Sequence, residues 1–162
     1  MFIVAPAEPA PQDLDKGLLL VLAPTLNELI RSGFRPWIGV SEPGVIKIVL
    51  FREVSGVPTP VASMKINARE GTVRIYTTFP IPQMISERLP RGYFEIVITP
   101  EGNIRGFVIP LHPNLEKVEL TMEELKNLLE RVSPLVRLGE LTLAYLTGRL
   151  EPLLPMSSEG LY

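Results

Sequence analysis

The fold is decided by residues 45–79, which read VIKIVLFREVSGVPTPVASMKINAREGTVRIYTTF. Apolar and polar residues alternate here and β-branched residues are frequent, which is typical of strands with one buried face. Two turn sequences, Ser55-Gly56-Val57-Pro58 and Arg69-Glu70-Gly71, divide the stretch into strands at 45–53, 61–68 and 72–79. Because the connections are short, consecutive strands can pair only as antiparallel neighbours, and the sequence predicts a β-meander.

Helical and strand patterns precede the meander. Apolar residues at helical spacing predict a first helix that begins after the N-cap Asp13 and ends at Gly33. Pro24 is expected to bend this helix or split it. A further strand is predicted at 34–40, before the turn sequence Ser41-Glu42-Pro43-Gly44.

The chain continues with a predicted short helix at 81–89 and a hairpin of strands 93–99 and 103–109. Thr121-Met122-Glu123-Glu124 is a capping box that begins the next helix, and Ser133 is expected to cap the last one. Pro134 takes its first position and Gly148 ends it.

These patterns together predict an α+β domain at 13–150, between an extended proline-rich arm at 1–12 and a C-terminal tail at 151–162. The expected architecture is an antiparallel sheet of five to six strands with helices on one face, in the order α-ββββ-α-ββ-αα.

Composition excludes several classes of site. The 162 residues include no cysteine, one histidine (His112) and two aspartates (Asp13 and Asp15). Disulfides, thiolate nucleophiles and zinc–thiolate sites are therefore excluded. His112 has no orienting acid and nucleophile at a recognisable spacing, and helix capping explains the two aspartates. We expect no cofactor, no bound metal and no enzymatic activity. An enzyme is left as a third alternative only through Glu, Arg and Tyr chemistry in a pocket that the sequence does not locate.

The early apolar run at 18–23 is far shorter than the ~20 residues of a membrane-spanning helix, and acidic residues precede it. We therefore expect a cytoplasmic protein that does not associate with membranes. The chain has 17 prolines but only five asparagines and two glutamines. Stiffened loops and few thermolabile residues favour a thermophilic source.

The final helix is apolar on nearly every side, more than one face of a surface helix requires. Burial against the first helix of the same subunit is one explanation, and a second copy of the chain or a partner is the other. The candidate dimer or partner surface comprises Leu135, Leu138, Leu141, Tyr145 and Leu146.

A second candidate surface is basic. Residues 45–79 carry five basic and two acidic side chains, although the whole chain has a net charge of −2. Cations interleaved with aromatic residues are typical of single-stranded nucleic-acid binding, whereas a negative net charge favours a solvated or partner-covered sheet face. Strand alternation places on one face Lys47, Phe51, Lys65, Asn67, Arg74 and Tyr76.

The second half of the chain combines a strand, an acidic-glycine turn, a second strand and a helix start. These are Gly92-Tyr93-Phe94-Glu95-Ile96-Val97-Ile98-Thr99-Pro100-Glu101-Gly102-Asn103-Ile104, Phe107-Val108-Ile109-Pro110-Leu111 and Leu120-Thr121-Met122-Glu123-Glu124-Leu125. The pattern resembles the class I type III secretion chaperones and the related YbjN-like proteins, best over residues 92–150. The proline-rich arm and the doubled C-terminal helix depart from the family pattern.

That resemblance implies a non-enzymatic homodimer that holds a partner polypeptide. We accordingly expect a dimeric binding or chaperone-like adaptor that takes up a partner segment by groove packing or strand addition. The alternative is a nucleic-acid-binding module that uses the basic and aromatic sheet face.

Overall fold

The computed structural model describes residues 15–78 and 91–149. Its strands form one antiparallel sheet whose spatial order follows the chain, β1-β2-β3-β4-β5-β6-β7. The strands are β1 (Arg35–Glu42), β2 (Val45–Val54), β3 (Val57–Asn67), β4 (Thr72–Thr77), β5 (Gly92–Ile98), β6 (Ile104–Pro110) and β7 (Val118–Glu119). The helices are α1 (Lys16–Arg31), α2 (Met122–Arg131) and α3 (Ser133–Leu146).

The predicted α+β class and antiparallel meander are confirmed, but the sheet has seven strands within the described ranges instead of five to six. The additional strand is β7, which pairs with β6 through Val118 and Glu119 alone. A two-residue strand is too short to produce an alternating pattern in the sequence. The predicted arm, the short helix at 81–89 and the tail lie outside the described residues, and the domain limits stay a prediction.

Helix α1 differs from its prediction in two details. Asp15 is the N-cap, and its carboxylate accepts a 2.7 Å hydrogen bond from the Gly17 amide, whereas Asp13 lies outside the described residues. Of the two outcomes expected at Pro24, a split is wrong, because α1 is continuous through this residue, and a bend stays a prediction. Proline has no amide hydrogen, so Pro24 cannot bond the Leu20 carbonyl one turn earlier. Pro24 is exposed, and this carbonyl therefore lies on the solvent side of the helix.

The capping box of α2 is present in both directions. The Thr121 amide donates to Glu124 Oε1 at 2.8 Å, and the Glu124 amide donates to Thr121 Oγ1 at 3.2 Å. The cap predicted for α3 is wrong: Val132 is its N-cap, and Ser133 is already the first helical residue. Val132 is the only residue between α2 and α3, so it is both the C-cap of α2 and the N-cap of α3.

The three described helices pack on one face of the sheet. α3 is the innermost, since it contacts β3 and β4 on one side and α1 on the other. At Gly139 it approaches so closely that a Cβ there would lie 2.7 Å from Val73 Cγ1 of β4. Because α3 has neighbours on two sides, its apolar excess is used within the monomer. None of the described helices is both long and apolar enough to cross a lipid bilayer.

Candidate binding face of the sheet

The side chains on the other face of the central strands point away from the helices. Strand register places residues of five strands there, and we call this set the open face. Its members are Lys47 of β2, Ser63 and Lys65 of β3, Arg74 and Tyr76 of β4, Tyr93, Glu95 and Val97 of β5, and Arg105 and Phe107 of β6.

Three cations lie directly opposite one another across neighbouring strands. Lys47 pairs with Lys65 in the β2–β3 register, and Lys65 pairs with Arg74 in the β3–β4 register. We call these three residues the cation row. Adjacent strands are about 5 Å apart, and like charges at directly opposed positions destabilise a sheet. Glu95 offsets the charge of Arg74, and an anion bound along the cation row would add to this effect.

Glu95 lies beside the cation row and is buried, with 3% of its surface exposed. Tyr76 donates a 2.9 Å hydrogen bond to Oε2, and Arg74 Nη1 lies 3.3 Å from the same oxygen. Lys117 Nζ lies 3.2 Å from Oε1. Burying a carboxylate without partners is costly, because the group loses its hydration. Here three charged or polar donors offset that cost.

A second group of contacts borders Glu95 on the β6 side. Phe107 is buried beneath two cations, with Lys117 Nζ 4.3 Å and the Arg105 guanidinium 5.2 Å from its ring centroid. Arg105 also donates two hydrogen bonds, of 2.9 and 2.8 Å, to the carboxylate of Glu119. The charged side chains thus cover the apolar ring and hold each other in place.

One carboxyl group and one tyrosine on this side of the sheet have shifted pKa values. The Arg105 hydrogen bonds hold the pKa of Glu119 below its usual range. Burial, followed by the hydrogen bond to Glu95, raises the pKa of Tyr76 above its ordinary value of 10.0. Tyr76 is therefore a neutral hydrogen-bond donor at physiological pH, and its ring is oriented by Glu95.

The chemical character of the open face is cationic. Among the described residues, basic side chains on the open face and at its β7 border outnumber acidic ones, although the chain has a net charge of −2. The basic residues are Lys47, Lys65, Arg74, Arg105 and the bordering Lys117, and the acidic ones are Glu95 and the bordering Glu119. Across residues 15–78 and 91–149, no group of three or more His, Cys, Asp or Glu side chains could hold a metal ion. The arrangement suits binding of an anion.

Lys47, Lys65, Arg74 and Tyr76 lie together, as strand alternation indicated. Phe51 is on the same side of β2 but is 7% exposed and packs with Trp37 and Val49, so it offers no ring to a ligand. The Asn67 side chain accepts hydrogen bonds from the Arg69 and Glu70 amides at 3.0 and 3.1 Å, and so stabilises the β3–β4 turn.

Sequence reasoning missed Tyr93, Glu95 and Lys117. The first two had a detectable signal, because alternation in β5 puts Tyr93, Glu95 and Val97 opposite the buried Phe94, Ile96 and Ile98. A single carboxylate within an otherwise apolar strand indicates a cationic partner nearby. Lys117 had no such signal, because it comes from the irregular segment before β7.

The predicted surface on α3 is divided by the fold. Leu135 and Leu138 are fully buried in the core and are not accessible to a partner. Leu141, Tyr145 and Leu146 are partly buried against that core. His112 lies in an exposed turn, where Nδ1 accepts a 3.2 Å hydrogen bond from the Asn114 amide.

Comparison of the chain with protein-family models, with curated proteins and with solved structures finds no match. The proposals below therefore rest on the geometry of the described residues.

Proposed function

We propose that the protein is a non-enzymatic binding protein whose open face takes a single-stranded nucleic acid. The observation that carries this proposal is the cation row beside two tyrosines. Lys47, Lys65 and Arg74 lie opposite one another on three strands. Tyr76 follows Arg74 on the same face of β4, and Tyr93 of β5 lies beyond Tyr76, with 6.2 Å between the two ring centroids. Cations that neutralise phosphates, combined with aromatic rings on which bases stack, are the means by which proteins bind single strands.

The shape of the surface favours a single strand over a duplex. The described helices all pack on the opposite side of the sheet, so the open face presents no helix that could enter a major groove. Its partly exposed tyrosines can contact bases only where those bases are unpaired. The net charge of −2 provides no long-range attraction for a polyanion, so binding depends on the local cation row.

Fluorescence anisotropy with a labelled oligothymidine of about 12 nucleotides tests the proposal. We expect the affinity to fall by at least about tenfold between low and moderate salt, because bound phosphates release counterions. Lys65→Glu is expected to weaken binding by about tenfold or more.

Lys126→Glu is the matched control, since Lys126 is an exposed residue of α2 on the helical side of the sheet and the charge change is identical. The absence of binding, or equal losses in the two variants, would overturn the proposal. Displacement of the oligonucleotide by polyglutamate at an equal charge concentration would instead identify an acidic polypeptide as the ligand.

The dimeric adaptor predicted from the sequence is the second candidate, and the observation that favours it is the length of β1. This edge strand has eight residues and pairs only with β2 among the described strands. Its occupant would be β1 of a second copy, because antiparallel pairing brings the Arg35 end of one strand to the Glu42 end of the other.

Light scattering after size-exclusion chromatography tests this second candidate. We expect a dimer at micromolar concentration, which Arg35→Glu dissociates and a compensating Glu42→Lys restores. A monomer across the concentration range contradicts the dimer. A dimer that neither substitution affects contradicts pairing through β1.

A further inference from the structure

The open face contains a small depression next to Tyr76, with a volume of about 150 Å³. It lies where the β3, β4 and β5 strands meet, and Ser63, Tyr76 and Tyr93 are among its lining residues. Pockets for drug-sized ligands occupy roughly 300–1,000 Å³, so this depression has room for a single small ring system.

A β-bulge shapes the base of the depression. In the β2–β3 register Leu50 pairs with Ala62 and Phe51 pairs with Pro60, which leaves Val61 without a partner on β2. The Val61 carbonyl instead accepts hydrogen bonds from the Thr78 amide at 3.0 Å and from Thr78 Oγ1 at 3.2 Å. Bulges change the direction of side chains and are frequent beside binding sites. The backbone here is held in place before any ligand arrives.

Two aromatic rings line the depression. The centroids of Tyr76 and Tyr93 are 6.2 Å apart, with 62° between the ring planes. Because the Tyr76 hydroxyl is bound by Glu95 at 2.9 Å, its ring has a defined orientation. Ser63, directly opposite Tyr76, adds a hydroxyl that can donate or accept a hydrogen bond.

The depression and the cation row are close enough for one ligand to contact both. Tyr76 and Arg74 are two residues apart on the same face of β4, a separation of about 7 Å between their Cα atoms. Ser63 and Lys65 have the same relationship on β3. A planar ring in the depression can therefore belong to a chain whose anionic groups lie along Lys65 and Arg74.

We infer that this depression is a subsite for one unstacked nucleobase, which contacts the Tyr93 ring while the adjoining phosphates contact Lys65 and Arg74. This inference rests on the proposed function and deepens it, since it assigns base contacts as well as phosphate contacts to the open face. The ligand class is a single-stranded nucleic acid with intact bases. A strand that carries only the sugar–phosphate chain lacks the group that enters the subsite.

The test compares labelled oligothymidine with an abasic strand of the same length and charge. Stacking of a base on an aromatic side chain is worth ~1–3 kcal/mol, so we expect the abasic strand to bind at least about tenfold more weakly. Tyr93→Leu is expected to weaken oligothymidine binding by about tenfold and to leave the abasic strand unaffected. Tyr93→Phe retains the ring and serves as the matched control.

Ser63→Trp is a second variant, which fills the depression without removing a tyrosine. Like Tyr93→Leu, it is expected to weaken oligothymidine binding by about tenfold and to leave the abasic strand unaffected. Lys65→Glu should weaken the binding of both strands equally. Equal affinity of the wild-type protein for the two strands would overturn the base subsite but leave phosphate binding in place. Failure of both strands to bind would overturn the proposed function itself, so the two results are distinguishable.

Discussion

The Tyr145 hydroxyl lies 2.7 Å from Oδ2 of Asp15 and donates a hydrogen bond to it. Asp15 Oδ1 accepts a second bond of 2.7 Å from the Gly17 amide. One carboxylate thus caps α1 and also connects it to the last turn of α3. The two helices that enclose the core are joined at this point.

Acid stability should depend on this contact. The Tyr145 hydroxyl, and then the Gly17 amide, hold the pKa of Asp15 below its ordinary value of 3.8. Its ionised form therefore stabilises the fold above about pH 4, and this contribution is lost as the pH falls through the lower folded-state pKa. Tyr145→Phe is expected to raise the Asp15 pKa and to reduce the resistance to acid unfolding.

NMR titration of the Asp15 side-chain carboxyl carbon measures the pKa. Denaturation midpoints from pH 2 to 7 measure the stability, and Tyr93→Phe is the control for both. An unchanged Asp15 pKa in Tyr145→Phe would contradict the assigned cause.

Replacement of the buried carboxylate on the open face should be costly. Glu95→Gln leaves Arg74 and Lys117 without their ionic partner, although a side-chain carbonyl remains for Tyr76. Both cations are about half exposed, so water can compensate in part. We expect a loss of ~1–3 kcal/mol in the free energy of unfolding, measured by denaturant titration. Glu119→Gln, in an exposed pair, is the control and should have little effect.

The close approach of α3 to the sheet predicts a second loss of stability. An Ala at Gly139 would place Cβ 2.7 Å from Val73 Cγ1, inside van der Waals contact. We expect Gly139→Ala to cost ~1–3 kcal/mol, despite the better helix propensity of alanine. Val73→Ala should make room, so the double variant should be more stable than the sum of the single effects indicates. Wild-type stability of Gly139→Ala would refute this packing.

The raised pKa of Tyr76 should be visible in an alkaline titration. Burial and the bond to Glu95 raise its pKa in the folded state, so its neutral form stabilises the fold. That contribution is complete below the unfolded pKa of about 10 and is lost as the pH rises through the folded pKa. The hydrogen bond to Asp15 also raises the pKa of Tyr145, so the experiment is made in a Tyr145→Phe background. Tyrosinate absorbance should there show a late-titrating component that Tyr76→Phe removes. Glu95→Gln should move this component to lower pH.

Short-range features of the fold were predictable from the sequence. The β2–β3 turn has positive φ angles of 52° at Ser55 and 79° at Gly56. Such angles favour residues like glycine, so the turn is recognisable in the sequence. The capping box of α2 is equally local, because Thr121 and Glu124 are three residues apart. In both cases neighbouring residues determine the backbone conformation.

Features that depend on distant residues were not predictable. The apolar excess of α3 left burial against the first helix and contact with a partner as alternatives, and α1, more than one hundred residues earlier in the chain, lies against it. Phe51 lies on the expected side of β2, yet its packing with Trp37 depends on the register of β1. The contact of Lys117 with Glu95 likewise depends on the backbone path of the irregular segment before β7, which no local pattern in the sequence determines.

The order of the strands has a consequence for the kinetics of folding. Every described strand pairs with its neighbour in the chain, and apart from the longer β4–β5 connection the sheet can grow by closing short loops, which costs little conformational entropy. The α1–α3 contacts are different: Arg137 meets Glu28 across 109 residues, and Tyr145 meets Asp15 across 130. We therefore expect the helices to dock late, after the transition state. Substitutions at Tyr145 should accelerate unfolding while the rate of folding stays close to that of the wild type.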